Sequence, residues 1–380
     1  MPSSRSKNSC NHHNDDHLHH HVHDHGHHDE HDDEHDHEHE REHDDERDDD
    51  NINVNIVVNT TGTTSMSSAT TIISGTAGGG GDGGMPTQQP SLPPGIKKVV
   101  IFDTNAYRTL GRRKVQSLRQ RELVCGVLAL AHPVVMLELS AHLADKNDRD
   151  YRPCMSALAA LAEHTKKPDA SGLCYCPEPR SEMCHQLFRI IPPGNEQGVK
   201  DMGVLARYVN KNYPDIASPQ MLENFKRCAD QVKRLETQWT DWMKRLLVSR
   251  DSSVARGWED ALALYTVAVC ADVVGLQLKP AEILGKAKVV HDVYTVPLRL
   301  MSALLRKLTT SSPPNIDNPK WGNYIWDFLV CFSVGSSHVI DDAKIFLVTG
   351  DHDIEEASVA AGCGDRVVSL QNHMKNVGFS

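Results

Sequence analysis

Near Ile96 the chain begins to read like something that folds. Residues 98–103, KVVIFD, hold an unbroken apolar run, the pattern of a parallel strand covered on both faces. Residues 115–131 predict a helix, HPVVM (132–136) a short strand, and LELSAHLA (137–144) a further helix. Residues 151–310 then read mainly as helices, with segments at 154–164, 200–211, 220–249, 254–274 and 281–308. An apolar helix over 321–334 follows, and the strand pattern returns in KIFLVTG (344–350). A helix over 353–362, ended by Gly362, and a last strand over 366–370 close the chain. Strands alternating with helices predict an α/β fold around a parallel sheet. No internal repeat is visible.

Composition divides the chain further. Fifteen of its 23 histidines lie between His12 and His43, alternating with Asp and Glu. Such a stretch buries nothing and predicts disorder. Its imidazoles and carboxylates also make a flexible sink for Zn²⁺, Ni²⁺ or Cu²⁺. The plainer reading is a solvated tail whose metal binding is incidental. Residues 51–96, rich in Thr, Ser, Gly and Pro, read as a linker. The expected organisation is a tail and linker over 1–96 and a folded domain over 97–380, with a helical insertion at about 151–310. The formal charge of −11 misdescribes that domain. Residues 1–96 carry 19 acidic and 4 basic side chains, leaving 32 acidic and 36 basic in 97–380, a balance of +4. A mildly basic body is compatible with nucleic acid without requiring it. Ten scattered cysteines do not make a secreted disulfide scaffold. With no apolar leader and no run of ~18 apolar residues, the expectation is a cytoplasmic protein without a membrane span.

The chemistry lies in the acids. In open parallel sheets, ligands bind outside the carboxyl ends of the strands. The first strand ends on Asp103, with Thr104 and Asn105 behind it, and KIFLVTGDHDI ends with Asp351 and Asp353. Asp also caps helices, so either strand-end residue alone has an ordinary explanation. Glu138 in VVMLELSAHL and Asp327 in NYIWDFLVCF sit in otherwise apolar helix starts, where an acid is rarely buried unless paired or metal-bound. Clustered carboxylates repel, and holding them together raises their pKa values or demands cations. Hard oxygen ligands suit Mg²⁺ or Mn²⁺, and such a site can activate water and stabilise both oxygens of an in-line phosphoryl displacement. No P-loop, GxSxG elbow or HExxH motif competes with this reading.

In this order the acids resemble those of the PIN-domain ribonucleases. The residues that carry the likeness are Phe102-Asp103-Thr104-Asn105, Glu138 in MLEL, Asp327 in IWDFLV, and Val348-Thr349-Gly350-Asp351 with Asp353 as an auxiliary acid. The likeness spans about 97–144 and 321–376. It implies an α/β/α sandwich and an endoribonuclease whose Mg²⁺ or Mn²⁺ is held by Asp103, Glu138, Asp327 and Asp351. Thr104 and Thr349 would orient carboxylates or phosphate, and Asn105 would brace the strand-to-helix turn. Asp341 and Asp342 are rivals for the third acid, though they precede a strand and read as loop residues.

The inserted helices offer two further sets. Lys226, Arg227, Lys233, Arg234, Lys244 and Arg245 form one basic stripe, because offsets of 7 and 11 residues return to within about 20° on a helix. The stripe is either a solvated flank or a track for RNA phosphates. Trp239 and Trp242 would stack bases or pack in the core, packing being the commoner fate. Cys174, Cys176, Cys184 and His185 offer zinc-type donors at a spacing that matches no familiar ribbon, so free buried thiols are the simpler reading. Two other functions remain beside an RNase acting on RNA. One is a metal-binding protein working through its tail, with an inactive PIN-like body that binds RNA or protein. The other is a toxin nuclease held by an antitoxin partner.

Overall fold

In a computed structural model of the protein, the described residues are 92–379 apart from 170–171, 194, 217, 249–256, 310–314, 317, 319 and 336–338. The histidine-rich tail, most of the linker and the metal binding expected of the tail lie outside them.

The first strand, β1 (Lys98–Phe102), is buried from Val99 onward and ends where Asp103 caps the next helix, α1 (Thr104–Val124). The Asp103 carboxylate accepts from the Ala106 N–H at 2.5 Å, satisfying one of the free donors of the first turn. Gly111, at φ 62° and ψ 170°, interrupts α1 in a conformation closed to most side chains. After Val124 the chain turns through Gly126 (φ 70°), where an added Cβ would stand 2.8 Å from the Gly95 carbonyl. It then enters β2 (Val127–Leu130).

This differs from the expected order of elements. Residues 127–130 are a strand, not the end of a helix, and 132–136 is not a strand. Pro133 occupies the first turn of α2 (Pro133–Ala141), where its missing N–H costs nothing. Short apolar runs carry no period that separates helix from strand.

The helices that follow are α3 (Tyr151–His164), α4 (Pro179–Phe188), α5 (Asn195–Asn212), α6 (Pro219–Val248), α7 (Trp258–Val273), α8 (Pro280–Val293) and α9 (Thr295–Leu308). The single helix expected over 281–308 is therefore two, broken at Tyr294 (φ −110°, ψ 39°). Pro297 explains the break, because in a continuous helix its ring would collide with the carbonyl one turn earlier. The helices of the expected insertion have no core of their own. Their buried residues, such as Leu158, Trp239 and Leu304, join one cluster with Ile101, Leu128 and Leu347 of the sheet. Helix α3 packs along α1, and α6 packs on α2. No helix among the described residues is long and apolar enough to cross a membrane.

The chain ends in α10 (Lys320–Cys331), β3 (Val339–Ile340), β4 (Ala343–Val348), α11 (His352–Ala360), β5 (Val367–Val368) and α12 (Leu370–Asn376). Four strands run parallel in the order β2-β1-β4-β5, and β3 pairs antiparallel with the start of β4. The β1–β4 register pairs Val99 with Ile345 and Phe102 with Val348. From β1 the chain returns to one side, through α1 to β2; from β4 it returns to the other, through α11 to β5. The carboxyl ends of β1 and β4 thus flank the switch point of the sheet, where open α/β folds present their ligand crevice.

A buried polar triad ties the ends of the fold together. Glu122 of α1 meets Nε2 of His164 (α3) at 2.5 Å and Nε2 of His373 (α12) at 2.6 Å. All three side chains are buried. Burial pushes the Glu122 carboxyl up, but the two imidazoles outweigh it and hold the pKa below its usual value. An ionised carboxylate only accepts, so both Nε2 atoms carry hydrogen, and in a neutral His164 ring Nδ1 accepts from the Tyr107 hydroxyl at 3.2 Å. Phe102 lies edge-on to both imidazoles, with centroids at 4.7 and 5.3 Å.

Replacing Glu122 with Ala removes the shared acceptor and leaves the Nε2–H groups of two buried imidazoles without it. We expect a loss of about 3–5 kcal/mol in urea unfolding at neutral pH. A depressed folded pKa stabilises above the unfolded value. The gap between the two proteins should therefore narrow as pH falls below 4.5, where the unfolded carboxyl takes a proton.

Candidate metal centre

Asp103 and Thr349 are the next residues beyond the paired Phe102 and Val348, so the parallel register sets them side by side. The Asp103 N–H donates to the Val348 carbonyl at 3.1 Å. The Thr349 hydroxyl donates to the second Asp103 oxygen at 2.5 Å and accepts from the Asp351 N–H at 2.9 Å. Asp351 caps α11, accepting from the Ile354 N–H at 2.9 Å. Each strand-end acid is thus also a helix cap, and the Thr349 hydroxyl bridges the two.

Two helices bring the other acids. Glu138 points from α2 and accepts from the Thr104 hydroxyl. Asp327 points from α10; among the described residues its carboxylate has no hydrogen-bond or ion-pair partner. Both are half-buried. Burial, then the charges of Asp351, Glu138, Asp103 and Asp353, push the Asp327 carboxyl up to about 8. Burial chiefly lifts Glu138 to about 7, with Asp103 and Glu236 adding to it against Thr104 and His142. Burial also raises Asp103. The four acids therefore share one electrostatic neighbourhood, poor in nearby positive charge.

Asp353 stands apart from this set. Both its oxygens accept from the Lys307 ammonium of α9, at 2.7 and 2.8 Å, and the Tyr324 hydroxyl donates at 3.1 Å. Burial pushes its pKa up, but these bonds prevail and hold it below the usual range. Asp353 is thus an anchor for a lysine that sequence reasoning missed. Nothing local marks Lys307, whereas Tyr324, three residues before Asp327, shares its helix face.

As a donor set, four carboxylates fit a hard divalent cation. Their oxygens are not yet gathered. Among the described residues, the one set of three whose donor atoms all lie within 4.8 Å of one another is His142, Asp148 and Asp150. That set has its own partners, since Asp150 pairs with Arg108 and His142 bonds Asp148 at 2.8 Å. A cation at the four acids would have to draw mutually repelling carboxylates inward.

The remaining candidates go elsewhere. Asp341 and Asp342 (φ 46° and 66°) make the tight turn between β3 and β4, at the amino end of β4, and are exposed. Lys226, Arg227 and Lys233 are exposed on α6, Arg234 and Lys244 are half-buried, and the Arg245 side chain lies outside the described residues. Trp239 and Trp242 are buried, with ring centroids 5.1 Å apart, so neither is free to stack a base. No three of Cys174, Cys176, Cys184 and His185 bring their donors within 4.8 Å of one another. Cys176 meets the Ser333 hydroxyl at 3.4 Å, and Cys184 the Cys270 carbonyl at 3.7 Å.

The chain matches no family model, no curated protein and no solved structure.

The raised pKa values carry a sign. A carboxyl whose folded pKa lies above its unfolded value stabilises fully below the unfolded pKa, and that stability is lost as pH rises through the folded one. For Asp327 the window runs from 3.8 to about 8. In chelator, Asp327→Asn should therefore melt roughly 3–6 °C above the native chain at pH 8, with the gain vanishing near pH 4. Adding Mn²⁺ at pH 8 should raise the melting temperature of the native chain more than that of the variant. Both proteins carry the same histidine-rich segment, so the difference reports the carboxylates alone.

Proposed function

We propose that the protein is a metal-dependent ribonuclease with a PIN-like α/β/α architecture. The observation behind this reading is the crowding of acids at the switch point. Asp103 and Asp351 leave neighbouring parallel strands, and Glu138 and Asp327 reach them from two helices. Asp327 is half-buried and without a hydrogen-bond or ion-pair partner among the described residues, and burial and neighbouring acids raise its carboxyl to about 8. Folded proteins rarely keep such an arrangement without use for it.

The class of substrate follows from the acids and their order. Carboxylate-bound Mg²⁺ or Mn²⁺ suits phosphodiester hydrolysis, and the Asp-Thr-Asn strand end with the later Thr-Gly-Asp favours RNA through the PIN resemblance. The basic balance of 97–380 agrees with a polyanionic substrate. Asp103, Glu138, Asp327 and Asp351 would hold the ion. When bound, it would supply Lewis acidity toward a phosphoryl oxygen and toward water. The chain's own residues supply order. Thr349 and Thr104 hold one oxygen each of Asp103 and Glu138, and the caps at Ala106 and Ile354 fix Asp103 and Asp351 against rotation.

Cleavage of labelled single-stranded RNA in Mg²⁺ or Mn²⁺ tests this reading. Asp103→Asn should lose at least about 100-fold in activity, since it removes a direct ligand rather than a supporting group. It should fold normally, because Asn also caps helices and the lost charge relieves repulsion. Equal cleavage by the two proteins would sink the assignment.

A further inference from the structure

A cavity of about 840 Å³ opens beside the paired strand ends. Asn105 and Gly350 form its near wall; Asn105 lies two residues after Asp103, and Gly350 immediately precedes Asp351. The far wall is α12 and the residues after it, with Gln371, Met374, Lys375 and Phe379 lining it. The walls are mostly apolar, no acidic side chain lines them among the described residues, and Lys375 is their charged group. This contrasts with the acids at the adjoining strand ends. The volume lies within the ~300–1,000 Å³ typical of ligand pockets.

From this juxtaposition we propose that the cavity is a nucleoside subsite, taking the base of the RNA nucleotide next to the phosphate that a cation at the carboxylates would engage. The proposal rests on the nuclease reading above and gives it a second binding element. A nucleobase has apolar faces and a polar edge. Phe379 and Met374 offer surface for the faces, and the amides of Asn105 and Gln371 offer donors and acceptors for the edge. Lys375, exposed at the rim, suits the following phosphate. Since Trp239 and Trp242 are buried, Phe379 is the aromatic ring that the cavity itself presents to a base.

The far wall is built to stay in place. His373, between Asn372 and Met374, is pinned to buried Glu122 at 2.6 Å. The Ser369 hydroxyl caps α12 by accepting from the Asn372 N–H at 3.2 Å. Beyond the helix, Gly378 turns at φ 68°, and the Phe379 N–H bonds the Met374 carbonyl at 2.8 Å, folding the ring back to the cavity. A preformed wall lowers the entropic cost of holding a flexible strand.

The test uses the full chain and a short single-stranded RNA carrying 2-aminopurine, first in EDTA and then in Mn²⁺. In EDTA the native chain should bind the probe with a change in 2-aminopurine emission. Phe379→Ala should weaken binding about tenfold. Lys375→Glu, a surface change that spares the fold, should weaken it and lower the salt slope by about one. In Mn²⁺ both variants should raise KM while kcat stays within about twofold. If both variants melt like the native chain and still bind and cleave like it, the subsite is wrong while the nuclease reading stands. If the native chain fails to bind the probe in either condition, the subsite is also wrong. If the probe binds and both variants weaken it, yet Mn²⁺ produces no cleavage, the subsite holds and the nuclease reading falls.

Discussion

The parallel register of β1 against β4 is the constraint on which the rest depends. It pairs Phe102 with Val348, and so sets Asp103 beside Thr349. A slip of one residue would turn every side chain of a strand to the opposite face. Here a slip would also part the Thr349 hydroxyl from the Asp103 carboxylate, and with it the bridge to Asp351. The strands hold this register because both are almost wholly apolar where they pair, and Val99, Ile101, Leu347 and Val348 are completely buried. The topology supplies the opening. Connections leave β1 and β4 toward opposite sides, so no crossover segment lies over the gap between their carboxyl ends.

The Glu122 triad does a second, separate job. Three elements far apart in sequence meet on one ionised carboxylate, and an acid buried this deeply is tolerated because both oxygens have donors. Its packing against Phe102 connects it to β1, and His373 connects it to α12. The strand that carries Asp103 and the helix that walls the neighbouring cavity are thereby fixed to one frame. Geometry at the strand ends and in the cavity is therefore not set independently.

Parts of this were legible in the sequence because their causes are local. A buried strand ending in Asp-Thr-Asn writes both its burial and its cap into a few residues. Thr349-Gly350-Asp351 does the same for β4. Where local cues conflicted, the reading went astray. The apolar run from Val127 to Met136 hides a strand, a turn and a helix start, and only Pro133 marks the change. Pro297 marks the break between α8 and α9, inside a stretch whose apolar pattern otherwise runs on as one helix. Other contacts leave no local trace. Glu122 and His373 are 251 residues apart, and Lys307 and Asp353 are 46 apart. Neither pair has a spacing or pattern that predicts it, because chain topology brings each together.

Capping and metal binding are often treated as rival explanations for an acid at a strand end, yet an observed cap does not exclude the proposed metal role of the same residue. A cap engages one carboxylate oxygen, and Ser, Thr or Asn would serve as well as Asp. Capping therefore accounts for a polar residue at 103 and 351 but not for its charge. Glu138 and Asp327 cap nothing. They stand half-buried among like charges, one with a single hydroxyl donor and the other with none among the described residues. Burial and repulsion disfavour ionisation of both. By contrast, Asp353, a residue of the same type in the same neighbourhood, has been given a lysine and a tyrosine. The fold thus neutralises one acid of the group and leaves the others short of positive charge. That asymmetry suits the divalent-cation site proposed above, and helix capping alone gives no reason for it.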